Sequence, residues 1–318
     1  MSKPDEEEII RIFQNSFGKK SKFLAEDVER FALNKIAFVA KSDMLVESTD
    51  VPPGMKIEQI ARKSIVACVS DFACKGVKPQ YATISLSLPR ELSRSKIERL
   101  AAGFARASRE FGVKIVGGDV NEGKEIVINV SMFGSAKKIV ARRGAKVNDI
   151  IITSGPFSYS HAGLKIILHH FKAASKFERK SKKSVFLPTP KLNFGLSIAN
   201  YISSAMDSSD GLAIALNELS RQSANKFVIT KLPTTPEIET FVKKNRIRLA
   251  DLVFCGGEEY EIVATVPRSN FSKVVSLARK QNIPIQEIGY VAKGRNVVYL
   301  DGDKIKTVKE CGWCHFKS

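Results

Sequence analysis

Two aspartates three residues apart, Asp207 and Asp210, form the clearest chemical signal in the sequence. Apolar residues follow at helical spacing from Leu212 to Leu219, so we predict a helix that begins near residue 210, capped by Ser209 or Asp210. The free N–H groups at such a helix start favour phosphate, whereas two neighbouring carboxylates repel it. A Mg²⁺ ion between them would remove the repulsion, because Mg²⁺ binds carboxylates and substrate phosphates together. The alternative is an ordinary helix cap beside a solvated aspartate.

Four further aspartates lie outside simple charged surfaces: Asp27, Asp43, Asp71 and Asp119. Asp27 lies in a predicted loop, and Asp43 lies at the C-terminal end of a buried strand predicted over 36–40. Asp71 continues the apolar face of a helix predicted over 57–75, where a carboxylate needs a lysine, an arginine or a metal ion. Asp119 follows two glycines at the end of a short strand, and such glycines let a backbone approach a ligand. Together the aspartates predict a cluster that several divalent ions neutralise around a polyphosphate.

One glycine-rich segment imitates a P-loop. Residues 118–124 carry most of the pattern, but Glu125 stands where a P-loop has serine or threonine. The residues that follow alternate in polarity as in a strand, so the helix that a P-loop requires is also missing. We therefore exclude a P-loop. A second glycine pair, at 256–257, precedes Glu258 and Glu259 and repeats the arrangement of glycines followed by acids.

Composition indicates a globular protein. The chain has 318 residues, 43% hydrophobic and 26% charged, which suits two domains. No apolar run approaches the roughly 18 residues of a membrane span, and the acidic N-terminus is unlike a signal peptide, so we expect a cytoplasmic protein with no membrane partner. The five cysteines are odd in number and mostly in apolar settings, which favours reduced thiols. Cys311 and Cys314 form a CxxC motif without the second pair of a zinc site.

The chain is strongly basic, with a net charge of +18 and a pI near 9.7. Such a charge favours anionic ligands, either nucleotides or nucleic acid. Lysines and arginines concentrate between Lys172 and Lys183, which we interpret as a solvated helix end or loop. RNA binding is the alternative, but Phe171 and Phe177 are the only aromatic residues there that could stack on bases. Nucleic acid is therefore an unlikely partner.

Six motifs, taken together, resemble those of the thiamine-monophosphate kinase family of the aminoimidazole ribonucleotide synthetase superfamily. They occur in the family's order across nearly the whole chain; each alone is weak, but jointly they are specific. The motifs are Lys41-Ser42-Asp43-Met44-Leu45-Val46, Val69-Ser70-Asp71-Phe72-Ala73, Gly117-Gly118-Asp119, Arg142-Arg143-Gly144-Ala145, Met206-Asp207-Ser208-Ser209-Asp210-Gly211 and Gly256-Gly257-Glu258-Glu259-Tyr260-Glu261.

The resemblance implies an α/β (α+β) fold of two domains. An N-terminal domain, residues 1–142, would bind ATP and Mg²⁺ and form a β-barrel across a homodimer, with nucleotide at the subunit interface. A C-terminal α/β domain would comprise residues 143–318. The sequence pattern itself puts the boundary within 140–148.

The resemblance also implies the site residues. Several Mg²⁺ ions would be held by Asp27, Ser42, Asp43, Asp71, Asp119, Asp207 and Asp210. ATP would contact Gly118, Asp119, Arg142 and Ser209. Thiamine monophosphate would contact Asp50, Glu258 and Trp313, with Trp313 against a ring. Asp210 and Arg142 would be the catalytic residues.

The chain departs from the family pattern at two places. The first loop, usually Gly-Asp-Asp, reads Ala25-Glu26-Asp27, so only Asp27 carries over. The usual Ser-Thr-Asp reads Lys41-Ser42-Asp43, which removes one hydroxyl ligand beside the metals. Lys41 would then either neutralise phosphate or lower the metal occupancy. At the arginine pair, Arg142 is the better match, although Arg143 could do the same work.

The implied reaction is transfer of the γ-phosphate of ATP to thiamine monophosphate, in line, which gives thiamine diphosphate and ADP. The accepting phosphate has a second pKa near ~6, so it is already an anion at neutral pH and needs no general base. The four histidines, His161, His169, His170 and His315, are accordingly interpreted as core or surface residues. The alternatives are a sister enzyme, such as a ring-closing ribonucleotide synthetase, selenophosphate synthetase or hydrogenase-maturation dehydratase, and, from another class, a basic nucleic-acid-binding protein.

Overall fold

The computed structural model describes residues 5–16, 26–33, 36–136 and 138–316. The elements of the first half are, in chain order, α1 (Glu6–Ser16), β1 (Glu29–Leu33), β2 (Ile36–Val46), α2 (Glu47–Asp50), α3 (Ile57–Lys75), β3 (Lys78–Pro89), α4 (Arg94–Phe111), β4 (Lys114–Gly123) and β5 (Val127–Ser135). Those of the second half are β6 (Ile150–Thr153), α5 (Tyr159–His169), α6 (Ser175–Phe186), α7 (Leu192–Ile198), β7 (Ser204–Asp207), α8 (Leu212–Ser223), β8 (Lys226–Ile229), α9 (Pro236–Asn245), α10 (Leu249–Phe254), β9 (Ile262–Val266), α11 (Arg268–Lys280), β10 (Gln286–Ala292), β11 (Val297–Asp301) and β12 (Lys304–Thr307).

The first half forms a five-stranded sheet in the order β1-β2-β5-β3-β4. All neighbours are antiparallel except β3 and β4, which are parallel and are joined by α4. Alternating residues of the central strand β5, among them Ile128, Val130 and Met132, are fully buried, because one face of the sheet packs against α3 and α4. The edge strand β4 is exposed along most of its length.

The second half forms a seven-stranded mixed sheet in the order β12-β11-β8-β10-β6-β9-β7. Strands β6, β7 and β9 are short and buried throughout, because helices cover both faces of the sheet there. The prediction of an α/β (α+β) fold with two packed units is confirmed. The division at residues 142 and 143 remains a prediction; the two sheets leave residues 136–149 between them.

Helix α3 belongs to both halves. Residues along most of its length, such as Ile65 and Phe72, pack in the core of the five-stranded sheet. Near its end, Ala73 and Cys74 lie in a second core with Ile150 and Ile198 of the other half. Gly76 in the left-handed conformation (φ 66°) ends the helix, as its sequence position predicts. Side chains on α3 can therefore reach the boundary between the two sheets.

Several local predictions were wrong. Strands β2 and β4 continue through Lys41–Asp43 and through Gly117–Asp119, which the sequence placed after strand ends. Helix α8 begins at Leu212 with Gly211 (φ 127°) as its cap, and neither Ser209 nor Asp210 caps it, because both side chains point elsewhere.

Two further features differ from expectation. The basic segment contains a helix of its own, α6, rather than the end of a neighbouring helix or a loop. Cys255 and Cys311 form a disulfide, although the cysteine count favoured reduced thiols; the fold brings together two sulfurs 56 residues apart, which composition cannot reveal. Within the described parts of the chain, no helix combines the length and the apolar character needed to span a membrane.

Candidate active site

Three buried aspartates converge where the two sheets meet. Asp27 comes from the loop before β1, Asp71 from the last turns of α3, and Asp207 from the end of β7. One carboxylate oxygen from each lies within 4.8 Å of the others, and the residues are only 3–5% exposed. Three carboxylates buried this closely are unfavourable unless cations neutralise them. The sequence predicted each of these three residues as a metal ligand.

Asp27 is neutralised by side chains of the protein. The Lys75 ammonium group lies 2.7 Å from Asp27 Oδ2, and the Arg142 guanidinium donates hydrogen bonds to Asp27 Oδ1. Lys75 is fully buried, and it also contacts Glu26 Oε2 at 2.8 Å and the Ala205 carbonyl oxygen at 2.9 Å, so each of its three N–H groups has an acceptor. Burial alone would raise the pKa of Asp27, but Lys75 and Arg142 hold it well below its usual range.

Asp71 is paired with Lys41. Alternation along β2 puts Lys41 and Asp43 on the core face of the sheet, and α3 brings Asp71 to them. The Lys41 ammonium lies 2.8 Å from Asp71 Oδ2 and 3.4 Å from Asp43 Oδ1. Burial alone would lower the pKa of Lys41, but Asp71 and Asp43 raise it well above its ordinary value. Burial raises the pKa of Asp71, and Asp207 and Asp43 raise it further.

Asp207 and Asp210 carry the perturbed carboxylates of the second half. Asp207 accepts hydrogen bonds from the hydroxyls of Ser70, at 2.7 Å, and Ser209, at 3.3 Å. Burial, and then the charge of Asp27, raise the pKa of Asp207 to about 7. Burial and the charge of Glu6 raise the pKa of Asp210 to about 6. In the metal-free protein the raised pKa values disfavour the ionised form of both carboxylates. A bound cation would favour that ionised form strongly.

These acids open onto one cavity of about 630 Å³. Its walls bring together predicted metal, nucleotide and substrate residues from both halves: Asp43, Asp50, Asp71, Asp207, Ser209, Asp210, Glu258 and Trp313. The volume is that of an ordinary small-molecule site. A cavity lined by a cluster of acids and by an aromatic ring suits a ligand with a polyphosphate end and a ring end. The wall formed by Asp50, Glu258 and Trp313 is called the ring end here.

The ring end of the cavity is built around Lys63. This lysine is 3% exposed; it donates a hydrogen bond to the Asp50 carbonyl oxygen at 2.6 Å and forms an ion pair with Glu258. Asp50 itself accepts a hydrogen bond from the Val46 N–H at 2.7 Å. The Glu258 N–H donates to the Ser209 carbonyl oxygen at 2.6 Å, which ties the substrate side to the 207–210 segment.

Trp313 lies on a tail that is fastened to the site. Its backbone N–H donates to the Asp210 carbonyl oxygen at 3.0 Å. Its ring is half-exposed at the cavity and lies edge-on to His315. The disulfide between Cys255 and Cys311 joins this tail to the loop that carries Glu258. The predicted substrate residues Asp50, Glu258 and Trp313 are therefore neighbours in the fold.

Other predicted residues are not brought to the aspartate cluster within one chain. Ser42 faces the opposite side of the sheet, where its hydroxyl lies 3.1 Å from that of Ser131, because strand alternation separates it from Asp43. Gly118 and Asp119 lie on β4, three strands away from Asp43, a separation of about 14 Å. They line a separate cavity of about 520 Å³ against α4. A Cβ at Gly118 would lie 1.7 Å from the Ile84 carbonyl oxygen, so the neighbouring strand itself requires this glycine.

Two lysines of the site, Lys63 and Lys75, were not predicted from the sequence. A signal was available for Lys75, which follows Asp71 by four residues and so continues the buried face of α3. Its burial indicated a partner, although the identity of that partner depends on the loop that holds Asp27. For Lys63 there was no comparable signal, because Glu258 lies in a distant part of the sequence.

The donor set fits Mg²⁺. The cluster offers hard carboxylate oxygens and no sulfur or imidazole ligand among the described residues. The raised pKa of Asp207 indicates that the neighbouring side chains leave its charge unbalanced, which a divalent ion would correct. Asp27, Asp71 and Asp207, with Asp43 and Asp210 at the cavity wall, would hold the ions.

Comparison with known proteins assigns this architecture to a family. Residues 27–136 match the AIR synthase related protein N-terminal domain, and residues 146–301 match the corresponding C-terminal domain. The chain is 49% identical over 317 residues to the thiamine-monophosphate kinase of Nitrosopumilus maritimus strain SCM1, with 100% of both chains covered. It is 32% identical to that of Pyrococcus horikoshii, over 100% of this chain and 98% of the relative.

A solved structure agrees with these sequence relationships. The structure of AaThiL complexed with AMPPCP and TMP has a TM-score of 0.86 and 29% identity, over 98% of this chain and 97% of that one. The family models, the full-length relatives and the shared fold all lead to the same assignment. The chain belongs to the thiamine-monophosphate kinase family of AIR synthase related proteins.

Proposed function

We propose that the protein catalyses ATP-dependent phosphorylation of thiamine monophosphate to thiamine diphosphate, a step of thiamine diphosphate biosynthesis. The observation that carries this proposal is a cavity that joins Asp71 and Asp207 of the buried aspartate triad to the Asp50, Glu258 and Trp313 wall. The full-length relationship to thiamine-monophosphate kinases supports the same activity.

The reaction is a direct transfer between two phosphates. A phosphate oxygen of thiamine monophosphate attacks the γ-phosphorus of ATP, a new P–O–P link forms, and the bond to the β-phosphate oxygen breaks to release ADP. The attacking phosphate is largely dianionic at neutral pH, since its second pKa is near ~6. The protein therefore has to orient two anions in line and offset their repulsion, rather than remove a proton.

The acids of the chain hold the cation that makes this approach possible. Mg²⁺, when bound, neutralises charge on the transferred phosphate and on the leaving ADP. Asp27, Asp71 and Asp207 are proposed as its ligands, with Asp43 and Asp210 beside them. Lys75 and Arg142 fix the Asp27 carboxylate in place, and Ser70 and Ser209 do the same for Asp207.

For Arg142 we propose a different role from the one that the resemblance implies. Its guanidinium donates hydrogen bonds to Asp27 and lies 3.4 Å from Glu218 Oε1, so its charge is already engaged by carboxylates. We propose that it acts chiefly by positioning Asp27. Asp210 faces the cavity and remains the proposed catalytic acid of the 207–210 segment.

The ring end of the cavity suits the thiamine part of the substrate. Its thiazolium ring is a cation, which the Asp50 and Glu258 carboxylates attract, and an aromatic ring such as that of Trp313 can stack on it. Lys63 holds Glu258 and the Asp50 backbone together, so it sets the distance between the two acids.

We also propose a homodimer. The outer face and edge of the five-stranded sheet expose large apolar side chains, with Met44, Val116 and Val120 between 56% and 67% exposed. Exposed large apolar side chains on one sheet favour an interaction surface for a second subunit. Gly118 and Asp119 lie on the same edge. A dimer formed through this edge would therefore place them beside the cavity of the partner subunit, where they could contact its nucleotide. In this arrangement residues 1–142 form the dimerisation domain.

A cytoplasmic location, where ATP is available, remains a prediction.

Mixing variants tests whether Asp119 acts across the dimer. Two variants, Asp119→Asn and Asp71→Asn, are prepared separately, and each is expected to be inactive. If Asp119 completes the site of the partner subunit, activity should return when the two variants are mixed and exchange subunits. Half of the dimers would then be mixed, each with one intact site, so activity should reach about a quarter of the wild-type value. No recovery, with exchange verified by mass spectrometry, would place both residues in one subunit's site.

Product analysis tests the activity itself. Purified protein is mixed with Mg²⁺, ATP and thiamine monophosphate, and thiamine diphosphate and ADP are measured over time. Equal amounts of the two products are expected. ADP formed without thiamine diphosphate would keep the nucleotide site but assign the second substrate to a sister enzyme. Absence of both products would overturn the proposal.

A further inference from the structure

Lys41 places a permanent positive charge inside a site built of acids. Residues 41 and 43 lie two apart on β2, so their side chains emerge from the same face, and α3 brings Asp71 against both. The ammonium group is 2.8 Å from Asp71 Oδ2 and 3.4 Å from Asp43 Oδ1. The side chain is only 25% exposed. It therefore lies between two carboxylates, in the manner of a bound cation.

The other cations of the site serve different acids. Lys75 contacts Asp27, Glu26 and a backbone carbonyl, and Arg142 contacts Asp27 and Glu218. Asp207 accepts hydrogen bonds from two hydroxyls. Lys41 is thus the side chain that neutralises the pair formed by Asp43 and Asp71.

We propose that the Lys41 ammonium group takes the place of one divalent ion between Asp43 and Asp71, so that the chain binds one Mg²⁺ fewer than its acids could hold. The inference rests on the proposed role of this site in binding Mg²⁺ and ATP. Mg²⁺ needs nearly octahedral oxygen ligands at short distance, and the ammonium already occupies Asp71 Oδ2. An ion between these two carboxylates would lie against the ammonium, and the two positive charges would repel each other.

Replacement of a bound ion by the Lys41 ammonium group should make the charge balance at this position independent of the Mg²⁺ concentration. A covalently attached cation is present at every Mg²⁺ concentration, whereas an ion must be bound from solution. Lys41 acts here as a positioning residue. It offsets the repulsion between Asp43 and Asp71, and it leaves the other oxygen of Asp71 for the ion shared with Asp27 and Asp207.

Counting ions tests the proposal. Mn²⁺ is titrated into the full-length protein with saturating AMPPCP, and bound ions per chain are measured by electron paramagnetic resonance. The Lys41→Ser variant should bind one more ion per chain than the wild type. The matched control, Lys293→Ser, removes an exposed lysine in a turn and should leave the count unchanged. Equal counts for wild type and Lys41→Ser would overturn the proposal.

A measurement on the wild type keeps the test valid if Lys41→Ser fails to fold. Crystals soaked with Mn²⁺ and AMPPCP should show anomalous density at the triad of Asp27, Asp71 and Asp207. Between Asp43 and Asp71 they should show the Lys41 side chain and no anomalous peak. A Mn²⁺ peak between Asp43 and Asp71, with Lys41 displaced, would refute the proposal that Lys41 replaces an ion. Neither readout depends on thiamine diphosphate formation, so failure of the proposed function would be recognised separately.

Discussion

Raising the pH should destabilise the metal-free protein, and Asp207 should be a main cause. Asp207 is 3% exposed, and its pKa is raised from an ordinary value of 3.8 to about 7. Between these two values the folded protein binds a proton on Asp207 that the unfolded chain has lost. The free energy of unfolding therefore decreases as the pH rises from about 4 to about 7, and the decrease is complete above the folded pKa.

The size of the effect follows from the displacement of the pKa. It is about three units, and each unit corresponds to about 1.4 kcal/mol, so Asp207 accounts for a loss of about 4 kcal/mol. The raised pKa of Asp71 acts in the same direction. The lowered pKa of Asp27 acts at pH values below 4, outside this window. Bound Mg²⁺ neutralises Asp207, so the stabilisation that Mg²⁺ provides should grow across the same window.

Urea unfolding at pH 5, 6, 7 and 8 measures this dependence, with EDTA or with Mg²⁺ at constant ionic strength. In EDTA the wild type should lose stability with pH, and Asp207→Asn should reduce the slope by about 1.4 kcal/mol per pH unit, the effect of one proton. Asp303→Asn, which alters an exposed turn residue, should keep the wild-type slope. A wild-type stability that is flat or rises between pH 5 and 7 would refute the reasoning.

Three further predictions concern the cavity. Asp210→Asn should lower kcat by about 100-fold or more with an unchanged circular dichroism spectrum, because a carboxylate at the reacting phosphates is lost; near-normal kcat would remove Asp210 from the site. Lys63→Met should raise the KM for thiamine monophosphate about tenfold and leave that for ATP unchanged, since Glu258 loses the cation that positions it; equal changes in both would contradict this role. Cys311→Ser should raise the KM for thiamine monophosphate several-fold, and dithiothreitol should reproduce this in the wild type but add nothing in the variant.

Much of the site was predictable because aspartates in unusual contexts mark it. Asp71 illustrates this, since its place on an apolar helix face required a cation, and the structure supplies one in Lys41. The nearness of Lys41 to Asp43 would also follow from a β2 strand predicted past residue 40, because residues two apart in a strand share a face. Strand ends were misjudged because charged side chains and glycines usually interrupt strands, whereas here they face a site or an open edge.

The remaining contacts depend on tertiary structure that local patterns do not encode. Lys63 meets Glu258 and Cys255 meets Cys311 only after both sheets have formed around α3. Asp119 has the sequence context of a nucleotide ligand, yet one chain holds it about 14 Å from Asp43. A motif specifies the chemistry of a residue, but the strand order decides which other residues it meets.

Because α3 lies in two cores, we expect the molecule to unfold as a single cooperative unit. Ile65 and Phe72 are buried with one sheet, whereas Ala73 and Cys74 are buried with the other, so neither half can lose its structure without uncovering apolar surface of the other. A fragment cut between the two sheets would expose that surface and aggregate. Calorimetry of the intact chain should accordingly give one transition, in which the calorimetric and van't Hoff enthalpies agree. The helix that carries Asp71, a proposed metal ligand, would thereby couple the integrity of the site to the folding of both halves.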